Sequence, residues 1–146
     1  IRYSITIMLG GIKEQLETVY QQEKVILDRY GFAKLAIENN VKLVPCYCFG
    51  ANDTCYTPDI LTSFRQWFGK KFSTALVLPW AYGPFIPFRA EHNMVFGRPL
   101  APEPGEEVES LHGRYVKRLQ GLFDENKGKF GMADRELIMT LPKKKQ

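Results

Sequence analysis

The chain has 146 residues, 45% of them hydrophobic and 25% charged, which suits one globular domain and excludes a disordered or fibrous chain. Twenty Lys and Arg against 16 Asp and Glu leave a formal charge of +4, an excess too small and too dispersed to point to a nucleic-acid partner. The longest uncharged run, Phe72 to Phe88, has 17 residues and is interrupted by Pro79, Gly83, Pro84 and Pro87; a spanning helix needs roughly 20 apolar residues.

The chain opens at Ile1 without Met and without a basic-then-apolar leader, so Ile1 is not expected to be the natural N-terminus. From Tyr3 to Leu9, apolar residues alternate with Arg2, Ser4, Thr6 and Met8, predicting a strand closed by Gly10-Gly11. The spacing of Phe32, Leu35 and Ala36 predicts a short helix between Tyr30 and Asn40. Val41 to Phe49 is nearly all apolar and reads as a strand covered on both faces in a parallel sheet, with Pro45 requiring an edge or a bulge. Cys46, Cys48 and Cys55 are too few for a secreted disulfide framework and read as reduced thiols; no neighbouring spacing completes a zinc site, so no metal is expected.

Asp59 to Phe72 predicts a second amphipathic helix, with Leu61, Phe64, Trp67 and Phe68 on one face. Met94 to Phe96 predicts a short strand before a turn rich in Pro and Gly. The strongest helix follows: Val108, Leu111, Tyr115, Val116, Leu119, Leu122 and Phe123 form one stripe, with Glu at its front and Lys and Arg behind. Residues 137–146 read as a flexible basic tail. Strands alternating with helices imply an α/β layer fold.

Five segments carry candidate chemistry: Gly10-Gly11-Ile12-Lys13-Glu14; Arg29-Tyr30-Gly31-Phe32; Phe49-Gly50-Ala51-Asn52 after an apolar run; Met94-Val95-Phe96-Gly97-Arg98-Pro99; and His112-Gly113-Arg114-Tyr115. In this order and at these intervals they resemble the C-terminal half of the type-2 diacylglycerol acyltransferase family, which includes monoacylglycerol and wax-ester acyltransferases. The resemblance covers about Ile5 to Glu136. It implies a glycerolipid-acyltransferase-like layered domain with a mostly parallel sheet, of which 1–146 is the C-terminal part. It also implies transfer of a fatty acyl group from acyl-CoA to diacylglycerol or a related neutral lipid alcohol, with acyl-CoA as co-substrate and no other cofactor. The protein would work at the endoplasmic reticulum membrane or a lipid droplet, its domain facing the cytosol. The family's His-Pro-His-Gly segment is absent, so the 146 residues alone are expected to be inactive; Ala51 stands where the family usually has Glu. The competing reading is a non-catalytic, acyltransferase-derived binding or structural subunit of a membrane assembly.

Acyl transfer to an alcohol needs a base for the hydroxyl proton and donors for the oxyanion. At the end of a parallel strand, after two glycines that allow close backbone approach, Glu14 is the best carboxylate to orient base or acceptor; the alternative is a solvated side chain beside a turn. Arg29 would bind the acyl-CoA phosphates or pair with a carboxylate that shapes the site, or else form a surface salt bridge. If the strands are parallel, Phe49, Gly50 and Asn52 share the sheet edge with Gly10 and Gly11, and Asn52 lines the pocket or closes an Asx turn. Lys13 is the lone cation beside Glu14, which favours a neutral acceptor over a phosphorylated one. His112 falls in an apolar stripe and reads as a packed histidine, and His92 precedes a strand in a polar setting. Ala75 to Phe88 would rest on a bilayer interface, line the acyl tunnel, or pack as an ordinary loop.

Overall fold

The computed structural model describes residues 4–56, 67–68, 71, 81–83 and 86–142. Helix α1 (Gly11–Glu17) leads into strand β1 (Glu23–Ile26), helix α2 (Gly31–Glu38) and strand β2 (Cys46–Phe49). A single 3₁₀ turn at Ala51–Asp53 follows β2. Strand β3 (Asn93–Phe96), the long helix α3 (Val108–Asn126), a 3₁₀ turn at Lys127–Phe130 and strand β4 (Leu137–Thr140) complete the described elements. The helix expected over 59–72 falls mostly outside the described residues.

Of the three helices legible in the spacing, the two that lie wholly within the described residues are present. In α3, Leu111, Tyr115, Leu119, Leu122 and Phe123 are buried, while Val108 and Val116 pack partly buried against the same core. This stripe meets Phe32, Ala33 and Ala36 of α2 and Tyr47 and Phe49 of β2. Its centre is aromatic: Phe49 stacks on Phe123 with centroids 5.5 Å apart, and Tyr47 meets Phe123 edge-on at 5.2 Å. Such pairs add about 0.5–1.5 kcal/mol each beyond their burial. On the half-buried side of α3, a methyl group at Gly113 or Gly121 would meet nothing within 4 Å. Gly113→Ala and Gly121→Ala should therefore each stabilise the protein by about 0.5–1 kcal/mol, because alanine costs less than glycine inside a helix. Urea unfolding checks this, and a loss of stability would mean that another part of the protein occupies that face.

The sheets depart from expectation. β1 pairs in parallel with β4, Glu23 opposite Leu137 through Ile26 opposite Thr140, and the Leu27 N–H extends the ladder to the Thr140 carbonyl at 2.8 Å. β2 pairs antiparallel with β3, Cys46 opposite Phe96 through Phe49 opposite Asn93. The fold is thus mixed α/β, with one small sheet of each kind among the described residues rather than one mostly parallel sheet. Val41–Phe49 shortens to four strand residues beginning just after Pro45; before it, Leu43 bridges singly to Leu100. Tyr47 and Phe49 point into the core while Cys46 and Cys48 stay half-exposed, so one face of β2 is covered rather than two.

Two further expectations are corrected. Ser4 to Met8 form no strand and are exposed, because no neighbouring edge among the described residues completes their ladder. Gly10-Gly11 consequently open α1 rather than close a strand. Leu137–Thr140, read as the start of a flexible tail, is β4, with Leu137 buried; residues 143–146 lie outside the described ones.

Candidate functional site

β2 ends at Phe49, and the chain reverses at Gly50 with φ +88°. A Cβ at Gly50 would lie 2.1 Å from the Glu91 carbonyl oxygen. Glycine meets both demands of this turn, a left-handed backbone and contact with the segment entering β3. The same turn is tied down by the Phe88 N–H, which donates to the Thr54 carbonyl at 2.7 Å. The Thr54 hydroxyl lies 3.2 Å from Nε2 of the exposed His92.

Beneath this turn lies a polar cluster that the sequence did not announce. Glu23, at the start of β1, is 1% exposed. Its carboxylate accepts from the Tyr47 hydroxyl at 2.6 Å, Asn52 Nδ2 at 3.0 Å and Arg135 Nη1 at 2.8 Å. The same Nη1 lies 2.8 Å from Asp53 Oδ1, and Asn52 Nδ2 also donates to the Gln22 carbonyl at 2.9 Å. A carboxylate survives such burial only when its lone pairs are satisfied, and three donors from three segments satisfy this one. Burial opposes the Arg135 charge, but Asp53 and Glu23 outweigh it and raise its pKa. Burial first, then the Glu23 bond, push the Tyr47 hydroxyl far above its ordinary value, so Tyr47 donates and does not ionise. The cluster pins β2 and the turn after it to the N-terminal end of the β1–β4 sheet.

Above it opens a cleft of about 760 Å³. Phe49, Gly50 and Asp53 form one wall; Arg89, Glu91, Lys129 and Arg135 bring charge to it, and Tyr20, Tyr82 and Phe88 supply aromatic surface. Of the expected site residues, Phe49 and Gly50 line this cleft, and Asn52 sits just behind it in the Glu23 cluster. From the Ala75 to Phe88 segment, Tyr82 and Phe88 reach it; residues 75–80 and 84–85 lie outside the described ones.

Gly10, Gly11, Glu14 and Arg29 gather instead at the other end of β1. Glu14 Oε2 accepts the Ile26 N–H at 2.8 Å, whereas Asn52 bonds Gln22 and Glu23. Four strand residues separate the groups by about 10 Å, so the shared edge expected from parallel strands does not exist: β2 is antiparallel to its partner and belongs to the other sheet. The Gly-Gly-x-x-Glu spacing now has a local cause. A Cβ at Gly10 would fall 2.1 Å from Glu14 Oε2, and Gly11 takes φ +54°, so the glycines let the first turn of α1 fold the carboxylate against β1. Arg29 is 77% exposed, its Nε 3.9 Å from Asp28 Oδ1, while Lys13 Nζ holds Asp28 at 2.8 Å. This is the surface pairing that the sequence allowed as an alternative.

Glu14 gives a pH test. Burial raises its pKa above the ordinary carboxylate value, against the opposing pull of the Ile26 N–H. A carboxyl raised in the folded state stabilises the fold while protonated, and that contribution is lost as pH rises through the folded pKa. Glu14→Gln should therefore match the wild type near pH 4 and equal or exceed its stability at pH 7, with a flatter stability–pH curve. A variant that matches the wild type near pH 4 but is less stable than it at pH 7 would show that the negative charge itself holds the Ile26 amide.

The His112-Gly113-Arg114-Tyr115 segment also resolves into packing. His112 is 4% exposed, between Tyr30 and Phe32, and its Nε2 donates to the Leu27 carbonyl at 3.0 Å. Arg114 Nη1 binds both oxygens of Glu106 at 2.9 and 2.8 Å, bracing the entry to α3. Tyr115 sits edge-on to Phe32 at 4.9 Å. Cys46, Cys48 and Cys55 are free thiols, and burial raises the pKa of Cys46 and Cys48.

The family model described as diacylglycerol acyltransferase matches residues 2–140. The chain is 37% identical to diacylglycerol O-acyltransferase 1 of Eremothecium gossypii, over 92% of this chain and 33% of that protein. It is 36% identical to diacylglycerol O-acyltransferase 1 of Saccharomyces cerevisiae, over 92% and 37%, and 32% identical to mouse 2-acylglycerol O-acyltransferase 1, over 91% and 45%. The chain thus spans between a third and a half of the length of these relatives. No solved structure matches it. With almost all of its length covered by one family model, the chain belongs to the diacylglycerol acyltransferase family.

Proposed function

We propose that the protein carrying this chain is an O-acyltransferase that moves a fatty acyl group from acyl-CoA to diacylglycerol or a related neutral lipid alcohol. The observation that carries this reading is the family match over residues 2–140. In the reaction the acceptor oxygen attacks the thioester carbonyl, the new C–O bond replaces the C–S bond, and the hydroxyl proton passes through a base to the departing thiolate. Neither histidine here suits that base: His112 is locked to the Leu27 carbonyl, and His92 pairs with Thr54 on the surface. The base therefore belongs to the family's His-Pro-His-Gly segment, outside these residues, and the chain contributes the cleft and the Glu23 cluster that shapes it. We further read the two sheets as parts of a glycerolipid-acyltransferase-like layered domain at the endoplasmic reticulum membrane or a lipid droplet.

The commitment of both histidines is also what a non-catalytic, acyltransferase-derived subunit would display, and one experiment separates the readings. Microsomes expressing the protein at the length of its relatives should convert labelled acyl-CoA and an acylglycerol or fatty alcohol to neutral ester, while the 146 residues alone should not. No turnover at either length favours the structural subunit. Turnover by the 146 residues that vanishes in His92→Ala with folding preserved would move the base to His92.

A further inference from the structure

The cleft after β2 is wide and polar, which decides what it can hold. A fatty acyl chain or the hydrocarbon of an acylglycerol needs an apolar lining, and here Gln21, Asp53, Arg89, Asn93 and Lys129 interrupt the walls. Its volume, about 760 Å³, falls within the range of small-molecule sites. Asp53 is already engaged by Arg135. Lys129 bonds only the neutral Asn126 carbonyl oxygen, and Arg89 has no ion-pair partner among the described residues. Two exposed cations therefore face the single unengaged carboxylate of Glu91. Beside them Tyr82, 70% exposed, stands edge-on to Phe88 with centroids 5.2 Å apart, and Phe88 in turn meets Tyr20 at 6.0 Å. Cations for phosphate beside an open aromatic face are the two elements that recognise a nucleotide.

We propose that this cleft binds the phosphorylated adenosine head of the acyl donor, leaving the acyl chain and the neutral acceptor to other parts of the protein. The assignment rests on the reading of the protein as an acyl-CoA-dependent transferase. Arg89 and Lys129 hold the phosphates, and the Tyr82 ring stacks on the base.

The test uses the protein at the length of its relatives and adenosine 3′,5′-bisphosphate as probe, with calorimetric binding measured beside turnover. Arg89→Ala with Lys129→Ala should weaken probe binding about ten- to a hundred-fold. The same double variant should raise KM for acyl-CoA by a similar factor, without moving KM for the acceptor or the melting temperature, since both side chains are exposed. Tyr82→Ala should weaken the bisphosphate but not inorganic phosphate. Unchanged probe affinity and donor KM in the double variant would overturn the site while leaving acyl transfer intact. Displacement of the probe by anionic vesicles, or by inorganic phosphate at equal concentration, would overturn the nucleotide assignment in favour of a headgroup or simple anion site. Probe binding that depends on Arg89 and Lys129 in a protein without turnover would support the site and count against the transferase reading.

Discussion

Gly50→Ala should be among the most damaging single substitutions in the chain, destabilising it by more than about 3 kcal/mol. A left-handed backbone alone costs an alanine roughly 1–2 kcal/mol. At Gly50 the added methyl also meets the Glu91 carbonyl oxygen at 2.1 Å, and a backbone oxygen bound into the approach to β3 cannot swing aside. Gly131 supplies the control. It has φ +71°, but a Cβ there meets nothing within 4 Å, so Gly131→Ala should cost only the backbone contribution of about 1–2 kcal/mol. Urea denaturation of both variants checks the difference. Equal losses would mean that the close approach of the turn to Glu91 contributes nothing.

The second large effect belongs to the Glu23 cluster. Glu23→Ala removes the acceptor of three donors and leaves Tyr47, Asn52 and Arg135 facing a buried void. Arg135→Ala leaves Glu23 and Asp53 as uncompensated carboxylates. Breaking one side of a buried pair costs about 3–5 kcal/mol, mostly because the surviving charge stays desolvated. The double variant should therefore be more stable than the sum of the singles implies, by a coupling of about 1–3 kcal/mol. Strict additivity would mean that the two side chains act on the fold separately. Because Arg135 and Asp53 also form cleft wall, the singles should deform the cleft as well as weaken the fold.

What could be read in the residues was what is local. α2 and α3 announce themselves because their partners lie three and four residues apart, as in Leu111, Tyr115, Leu119 and Leu122. Direction of strand pairing is not local. Val41 to Phe49 looked covered on both faces because cysteine is as apolar in pattern as leucine, yet Cys46 and Cys48 are half-exposed. β1 and β4 are four residues each, and β1 opens on Glu23 and Lys24, so neither shows an alternation long enough to read. The Glu23–Arg135 bond joins residues 112 apart, and no pattern along the chain could have paired them. For the same reason the expected site divided. Phe49 and Gly50 line the cleft with Asn52 behind, while Gly10, Gly11 and Glu14 form a clasp between α1 and the far end of β1.

The proposed transferase, the protein built around this region, should esterify a neutral lipid alcohol from acyl-CoA. The most direct measurement offers one preparation labelled acyl-CoA with equal concentrations of diacylglycerol and glycerol 3-phosphate, then separates the products. Label in triacylglycerol that grows with time and protein is the predicted result. Label confined to lysophosphatidate would contradict it.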